Sequence, residues 1–224
     1  MGITVALDHI EILPGQRLCL HYIDWDKFEQ ILAGLGEHRA SRIAYYQHTL
    51  EIRMPLPEHE RIKCLLSYLL VELLDHLGME WESLGSTTYK KSKDLAGIEP
   101  DDCFYIQNYQ SAVGMLRVDL DRDPPPDLAI EVDLTSKTQI SAYLAIGVPE
   151  IWRWERSQLQ IYILQNGAYQ ESQTSHIFPH IPVVSLFSDF LSRNMHLPTS
   201  QIRRNFRQWL ATSFADDTEN RDNK

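Results

Sequence analysis

The segment over residues 124–138, PPPDLAIEVDLTSKT, constrains the fold and chemistry of this chain more than any other. Three prolines end whatever precedes it, and apolar residues then alternate strictly with other residues, which is typical of a β-strand with one apolar face. The opposite face carries three carboxylates and no cation. The apolar positions are Leu128, Ile130, Val132 and Leu134, and the carboxylates are Asp127, Glu131 and Asp133.

Glu131 and Asp133 are two residues apart on the same face, so their Cα atoms are expected roughly 6–7 Å from each other. Like charges at that spacing repel unless a cation lies between them, and carboxylate oxygens suit Mg²⁺, Mn²⁺ or Ca²⁺. The alternative is an edge strand whose acidic residues face water and discourage pairing with other chains. The segment alone supports both interpretations equally.

The composition is that of an ordinary globular protein. With 224 residues, 43% of them hydrophobic and 23% charged, the chain is long enough for one domain over 1–224 with a large core. No apolar run approaches the roughly 18 residues of a membrane span. Three scattered cysteines form no paired pattern, which predicts reduced thiols in a cytoplasmic protein. The net charge of −10 argues against indiscriminate coating of nucleic acid, but it is compatible with a metal-neutralised acidic site.

The N-terminal half predicts helices around a hairpin. Asp24 or Asp26 is placed to cap a short helix, and residues 42–54 alternate around a turn as a hairpin. Apolar residues at three- and four-residue spacing then predict a long helix over His59–Leu77, ended by Gly78. So wide an apolar face requires burial against a sheet.

The C-terminal half predicts a βαβ unit over 128–154, whose two strands should be parallel. Ser136 or Thr138 is placed to cap its helix. Asn166-Gly167 then predicts the type I′ turn of a further hairpin. Two helices, near 184–191 and 201–214, and a polar, flexible tail over 215–224 complete the chain.

The ordered elements resemble the αβββαβ core of the PD-(D/E)XK nuclease superfamily, and more closely a restriction-endonuclease family called Uma2. The stretches that carry the resemblance are LEIRMPLPEHE, GSTTYKK, EPDDCFYI, DPPPDLAIEVDLTSKT and AYLAIGVPEIWRW. The resemblance covers roughly residues 24–212, with the core at about 59–154. It implies a mixed α/β fold like that of restriction endonucleases, with an N-terminal helix and hairpin and a C-terminal helical extension.

The same resemblance implies the site residues. It assigns Asp101 and Glu131 to the acidic pair on two neighbouring strands, and Glu60 to a supporting acid on the first core helix. With Asp133, which strand parity adds, these residues would hold Mg²⁺, and Mn²⁺ would substitute for it. Asp101, Glu131 and Glu60 are therefore the predicted acidic catalytic residues.

A lysine of the superfamily pattern is missing. It should stand two residues after Glu131, where this sequence has Asp133. Lysine is known to move to another element within the superfamily, and Lys137 is the candidate that we assign to catalysis. Lys90 and Lys91, expected on a strand next to that of Asp101, are the alternatives.

The implied activity is Mg²⁺-dependent hydrolysis of DNA, with RNA as the less favoured substrate. A homodimer is expected, because cutting both strands of a duplex needs two sites related by symmetry. The alternative is a nuclease-fold protein of weak or no activity that binds nucleic acid or another protein. The last helix, with Arg203, Arg204 and Arg207, would line a nucleic-acid surface or, more commonly for such a pattern, pack as an amphipathic helix.

Overall fold

The computed structural model describes residue 6 and residues 9–36, 39–134 and 137–213. Eleven strands and six α-helices lie in this part of the chain. The strands are β1 (Arg17–His21), β2 (Arg42–Tyr46), β3 (Thr49–Arg53), β4 (Glu82–Ser83), β5 (Tyr89–Lys91), β6 (Ala96–Ile98), β7 (Asp102–Tyr105), β8 (Leu128–Asp133), β9 (Glu150–Glu155), β10 (Gln158–Gln165) and β11 (Ala168–Ser172). The helices are α1 (Trp25–Leu35), α2 (Pro57–His76), α3 (Tyr109–Ala112), α4 (Ile140–Ile146), α5 (Val183–Asn194) and α6 (Thr199–Ser213).

The acidic strand β8 lies inside a six-stranded sheet, whose order is β11-β10-β9-β8-β7-β4. It pairs antiparallel with β7 and parallel with β9, and all six of its residues are buried. The parallel pairing confirms the predicted βαβ unit. The interpretation of this segment as a water-facing edge strand is wrong, because the strand has a partner on each side and protein on both faces.

This sheet has the αβββαβ order as α2, β4, β7, β8, α4 and β9, but its first strand is β4 and not the strand that was expected around Lys90 and Lys91. Between β4 and β7 the chain leaves the sheet, and β5 and β6 join a second sheet of order β1-β3-β2-β6-β5. The mixed α/β class is confirmed, together with the N-terminal helix and hairpin and the C-terminal helices. The second sheet was not expected, because the strand of Lys90 and Lys91 was placed beside that of Asp101, and a strand of three residues does not indicate its partner.

The apolar face of β8 packs under α2, as its alternation predicts. Leu66, Leu69 and Leu73 of the helix share one buried cluster with Leu128 and Ile130 of the strand. Val132 belongs to the same cluster, whereas Leu134 lies beyond the strand and is 37% exposed. The helix begins with a proline, which is tolerated in the first turn, and Gly78 follows its end with φ 64°.

The C-terminal helix α6 packs on the same core through Ile202, Phe206 and Leu210. Its arginines Arg203 and Arg207 donate hydrogen bonds to the buried carboxylate of Glu72 on α2. Of the two interpretations of this helix, the packed amphipathic one is therefore correct for these two arginines.

The local predictions differ in outcome. Asp24 caps α1 by accepting from the Lys27 N–H, and positive φ angles at Asn166 and Gly167 match a type I′ turn. Thr138 does not cap α4, whose N-cap is Gln139. Ser136 and the predicted tail over 215–224 lie outside the described residues. Within the described ranges, none of the helices has the length and apolar content of a membrane span.

Leu69→Ala should lower the free energy of unfolding by about 2–5 kcal/mol, because the side chain is fully buried between α2 and the sheet. Leu116→Ala is the matched control, since Leu116 is 96% exposed, and it should change the free energy by less than about 0.5 kcal/mol. Urea denaturation measures both. Equal losses for the two variants would mean that α2 docks elsewhere.

Candidate active site

Asp101 and Glu131 come from adjacent strands. Asp102 of β7 pairs with Ile130 of β8, so the antiparallel ladder extended by one residue brings the Cα of Asp101 opposite that of Glu131. The Val132 N–H donates to Asp101 Oδ2 at 2.8 Å. The two acids that the resemblance singles out are thus neighbours at the end of the β7–β8 ladder.

The cation missing from the strand pattern comes from the second sheet. Arg53, the last residue of β3, has its Nη2 atom 3.6 Å from Glu131 Oε2 and its Nε atom 3.7 Å from Glu51 Oε1. Burial works to lower the pKa of Arg53, but the charges of Glu131 and Asp101 outweigh burial and raise it. The guanidinium is therefore fixed as a buried positive charge between carboxylates.

Arg53 belongs to a row of three arginines across the second sheet. Its Cα pairs with that of Arg17 on β1 and that of Arg42 on β2. Like charges directly opposite one another destabilise a sheet unless they are compensated. Here Arg17 Nη1 lies 3.2 Å from Glu51, and Arg42 Nη2 lies 3.8 Å from Glu60.

Glu131 is fully buried, and only one of its two carboxylate oxygens accepts a hydrogen bond from the described residues. The Tyr143 hydroxyl of α4 donates to Glu131 Oε1, whereas Oε2 has no hydrogen-bond partner among the described residues. Burial, followed by the charge of Asp101, raises the pKa of Glu131 to about 8, against the opposing effects of Arg53 and Tyr143. Glu131 Oε2 is therefore a buried oxygen that accepts no hydrogen bond from the described residues.

The pKa of Asp101 is shifted in the opposite direction from that of Glu131. Burial would raise its pKa, but the hydrogen bond from His59, the charges of His59 and Arg53 and the Val132 N–H together lower it. His59 Nε2 lies 2.9 Å from Asp101 Oδ2. Two neighbouring carboxyl groups with pKa values pushed apart are a common arrangement at catalytic sites.

Asp133 lies at the end of β8 and is held locally. It accepts hydrogen bonds from the Thr138 N–H at 3.1 Å and the Thr138 hydroxyl at 2.8 Å, and Arg153 Nε lies 3.8 Å away. Burial raises the pKa of Asp133, against these partners. Its charge also adds to the raised pKa of Glu131, so it belongs to the same electrostatic cluster.

Glu60 is linked to the acidic pair through His59. Its carboxylate binds Lys63 Nζ at 2.7 Å, and its Oε1 atom lies 3.6 Å from His59 Nδ1. The side chain is 38% exposed. Glu60 therefore lies on the solvent side of the imidazole, with Asp101 on the other.

The candidate lysines occupy different places. Lys137 is exposed and lines a groove of about 950 Å³ together with Asp133 and Arg156. Lys90 binds Glu29, and Lys91 binds the Ala145 carbonyl oxygen. Both belong to β5 of the second sheet, so the expectation that their strand neighbours that of Asp101 is wrong.

A cavity of about 20 Å³ adjoins Asp101. Arg42, Arg53, His59 and Asp101 are among the residues that line it. This volume holds about one water molecule. Leu134 lines both this cavity and the 950 Å³ groove, so the two cavities are neighbours; Asp101 lines the small cavity, and Asp133 lines the groove.

The carboxylate oxygens at this site are the type of ligand that a divalent cation such as Mg²⁺ prefers. The described part of the chain holds no group of three or more His, Cys, Asp or Glu side chains placed to bind one ion. Mg²⁺, however, usually binds through one or two carboxylates and completes its coordination with waters and substrate phosphates. Asp101 and Glu131 supply two carboxylates, and Glu131 Oε2 accepts no hydrogen bond from the described residues.

Sequence reasoning missed Arg53, His59 and Tyr143. Tyr143 occupies an apolar position of the α4 pattern, so its periodicity indicated only burial. Arg53 and His59 both lie in the stretch LEIRMPLPEHE that carries the resemblance. Its unusual density of charged residues between two apolar elements was the available signal.

The two acids that the resemblance implied, Asp101 and Glu131, lie at the ends of adjacent strands of a mixed α/β core. Residues 25–196 match the family model Uma2, described as "Putative restriction endonuclease". Since the match covers most of the chain, the protein belongs to the Uma2 family. The predicted family and fold class are confirmed.

Other comparisons add little. No curated protein matches this chain. A similar solved structure is the crystal structure of a "putative nuclease belonging to DUF820" from Anabaena variabilis, with 15% sequence identity and a TM-score of 0.47. The match covers 84% of this chain and 99% of that one. A likeness of this size decides neither fold nor function.

Glu131 should make the metal-free protein less stable as the pH rises. The folded state keeps the Glu131 proton up to a pKa of about 8, whereas an unfolded glutamate loses it near 4.3. Between these values the folded state binds the extra proton, so the free energy of unfolding falls with rising pH, by at most about 1.4 kcal/mol per unit. Chemical denaturation in EDTA at pH 5.5 and 8.5 measures the effect.

Glu131→Gln should flatten this profile, and Glu80→Gln, at an exposed position, should retain it. Parallel profiles for the wild type and Glu131→Gln would show that Glu131 titrates normally in the folded protein.

Proposed function

We propose that this protein is a nuclease that hydrolyses phosphodiester bonds of DNA at the Asp101–Glu131 pair with a bound divalent cation, Mg²⁺ or, as a substitute, Mn²⁺. Family membership supports nucleic acid as the substrate class. The observation that carries the proposal is Glu131 Oε2, a fully buried carboxylate oxygen that lacks a hydrogen-bond partner within the described residues and lies beside a second carboxylate.

The surrounding residues hold the pair in position to bind. A divalent cation at this pair would lower the pKa of a water molecule and offset the charge that develops on the phosphate. Tyr143 fixes Glu131 through Oε1, and Oε2 accepts no hydrogen bond from the described residues. His59 and the Val132 N–H hold Asp101 through its Oδ2 atom. The carboxylates are therefore oriented before any ligand arrives.

The groove that Asp133 lines offers a place for the substrate. Lys137 and Arg156 line it, and Arg17 lines it from the second sheet. We assign Lys137 to the phosphate, where its ammonium group would stabilise developing charge. Asp133 and Glu60 remain proposed supporting ligands, although Thr138 and Lys63 hold them in this structure.

Several finer features remain proposals: DNA over RNA as the substrate, a cytoplasmic location and a homodimer. The dimer follows from the need for two symmetry-related sites to cut both strands of a duplex. Light scattering at micromolar concentration tests it, and a monomer mass would exclude it.

Glu131→Ala should lower DNA cleavage more than tenfold, because it removes a ligand of the proposed cation and so more than about 1.4 kcal/mol of transition-state stabilisation. Nicking of supercoiled plasmid in Mn²⁺ measures the rate, and EDTA should abolish it. Glu80→Ala, at an exposed position, is the matched control and should cleave as the wild type does. Equal nicking by the wild type and Glu131→Ala would assign the cleavage to a contaminant.

A binding module on the same fold is the second candidate. The observation that favours it is Arg53, whose guanidinium already offsets the charge of Glu131 without any metal. Such a module should bind a DNA duplex with the same affinity in Mg²⁺ and in EDTA, and should not cleave it. Fluorescence anisotropy with a labelled duplex separates the candidates, because the proposed nuclease should bind more tightly with the cation present.

A further inference from the structure

Arg53 lies between two carboxylates and makes a close contact with neither. Its nitrogens are 3.6 Å from Glu131 Oε2 and 3.7 Å from Glu51 Oε1. Arg53 Nε, Glu51 Oε1 and Glu131 Oε2 are all buried, and none of the three has a hydrogen-bond partner among the described residues. A buried ion pair without hydrogen bonds is costly. A static structural role would favour a closer pairing with one acid.

Simultaneous binding of a divalent ion and of this guanidinium to Glu131 is energetically unfavourable. An ion bound to Glu131 Oε2 would lie roughly 2.0–2.6 Å from that oxygen, and so within a few ångström of Arg53. Two positive centres at that separation in a buried site repel strongly. The guanidinium must therefore move away for the ion to bind well.

Glu51 is the acceptor to which the guanidinium can move. It lies two residues before Arg53 on β3, it is 2% exposed, and its Oε1 atom already faces Arg53 Nε. The other oxygen, Oε2, is held by Arg17 Nη1 at 3.2 Å. A small rotation of the Arg53 side chain would close its contact with Glu51 and open that with Glu131.

We infer that Arg53 is the resident cation of the acidic pair, and that a divalent ion binds there by displacing its guanidinium from Glu131 onto Glu51. This inference rests on the proposed metal-dependent function. It makes Arg53 and Glu51 positioning residues with opposite effects on metal affinity: Arg53 competes with the ion, and Glu51 relieves the competition.

Manganese affinity is the direct readout, measured without substrate by the electron paramagnetic resonance signal of free Mn²⁺. Arg53→Met keeps a long side chain and removes the charge, so Mn²⁺ should bind at least about tenfold more tightly. Glu51→Gln removes the second acceptor, so Mn²⁺ should bind at least about threefold more weakly. Glu131→Gln should lose this binding.

Arg203→Met is the matched control. Arg203 also pairs with a buried glutamate, Glu72, but Glu72 lies about 20 Å along α2 from His59. Its Mn²⁺ affinity should equal that of the wild type. General loosening of the fold would weaken binding in every variant, so a gain in Arg53→Met beside a loss in Glu51→Gln has no such explanation.

The outcomes distinguish the inference about Arg53 from the proposed function. Wild-type binding that depends on Glu131 but is unchanged or weaker in Arg53→Met overturns the inference and leaves the proposed function standing. Binding by Arg53→Met alone supports the inference and overturns the proposed function. Binding by neither overturns both. If circular dichroism shows Arg53→Met to be unfolded, Glu51→Gln decides: weaker binding supports the inference, and unchanged binding overturns it.

Discussion

The compensation of buried charge is the constraint on which the rest of this structure depends. Strand β8 carries Glu131 into a position with no solvent access, where an isolated carboxylate would be very costly. Arg53 reaches it from β3 of the other sheet. The ion pair therefore links the two sheets at the proposed active site.

The packing around the pair follows from that constraint. The apolar face of β8 is covered by α2, and the acidic face by α4 and the second sheet. Tyr143 of α4 donates to Glu131, and His59 of α2 contacts Asp101. Each covering element thus supplies an apolar surface and one polar group aimed at the acids. A buried polar site remains stable only when its covering elements provide such partners.

The sequence predicts well those features that are periodic and local. The alternation of β8 identified its two faces, and the spacing of Leu66, Leu69 and Leu73 identified the helix that covers one of them. Period alone could not show whether β8 is central or at an edge, since strand pairing depends on distant residues. Arg53 was missed for the same reason, because the alternation shows which face of the strand carries Glu131 but not which residue of the other sheet lies against that face. The pairing of Asp101 with Glu131 came from the resemblance.

A double-mutant cycle at pH 8.5 in EDTA tests the central claim most directly, because Glu131 is ionised above its pKa of about 8. The free energy of unfolding is measured for the wild type, Arg53→Met, Glu131→Gln and the double variant. If the ion pair joins the sheets, the double variant should be more stable than the sum of the single changes implies, by at least about 1 kcal/mol. Additivity within about 0.5 kcal/mol would contradict the account.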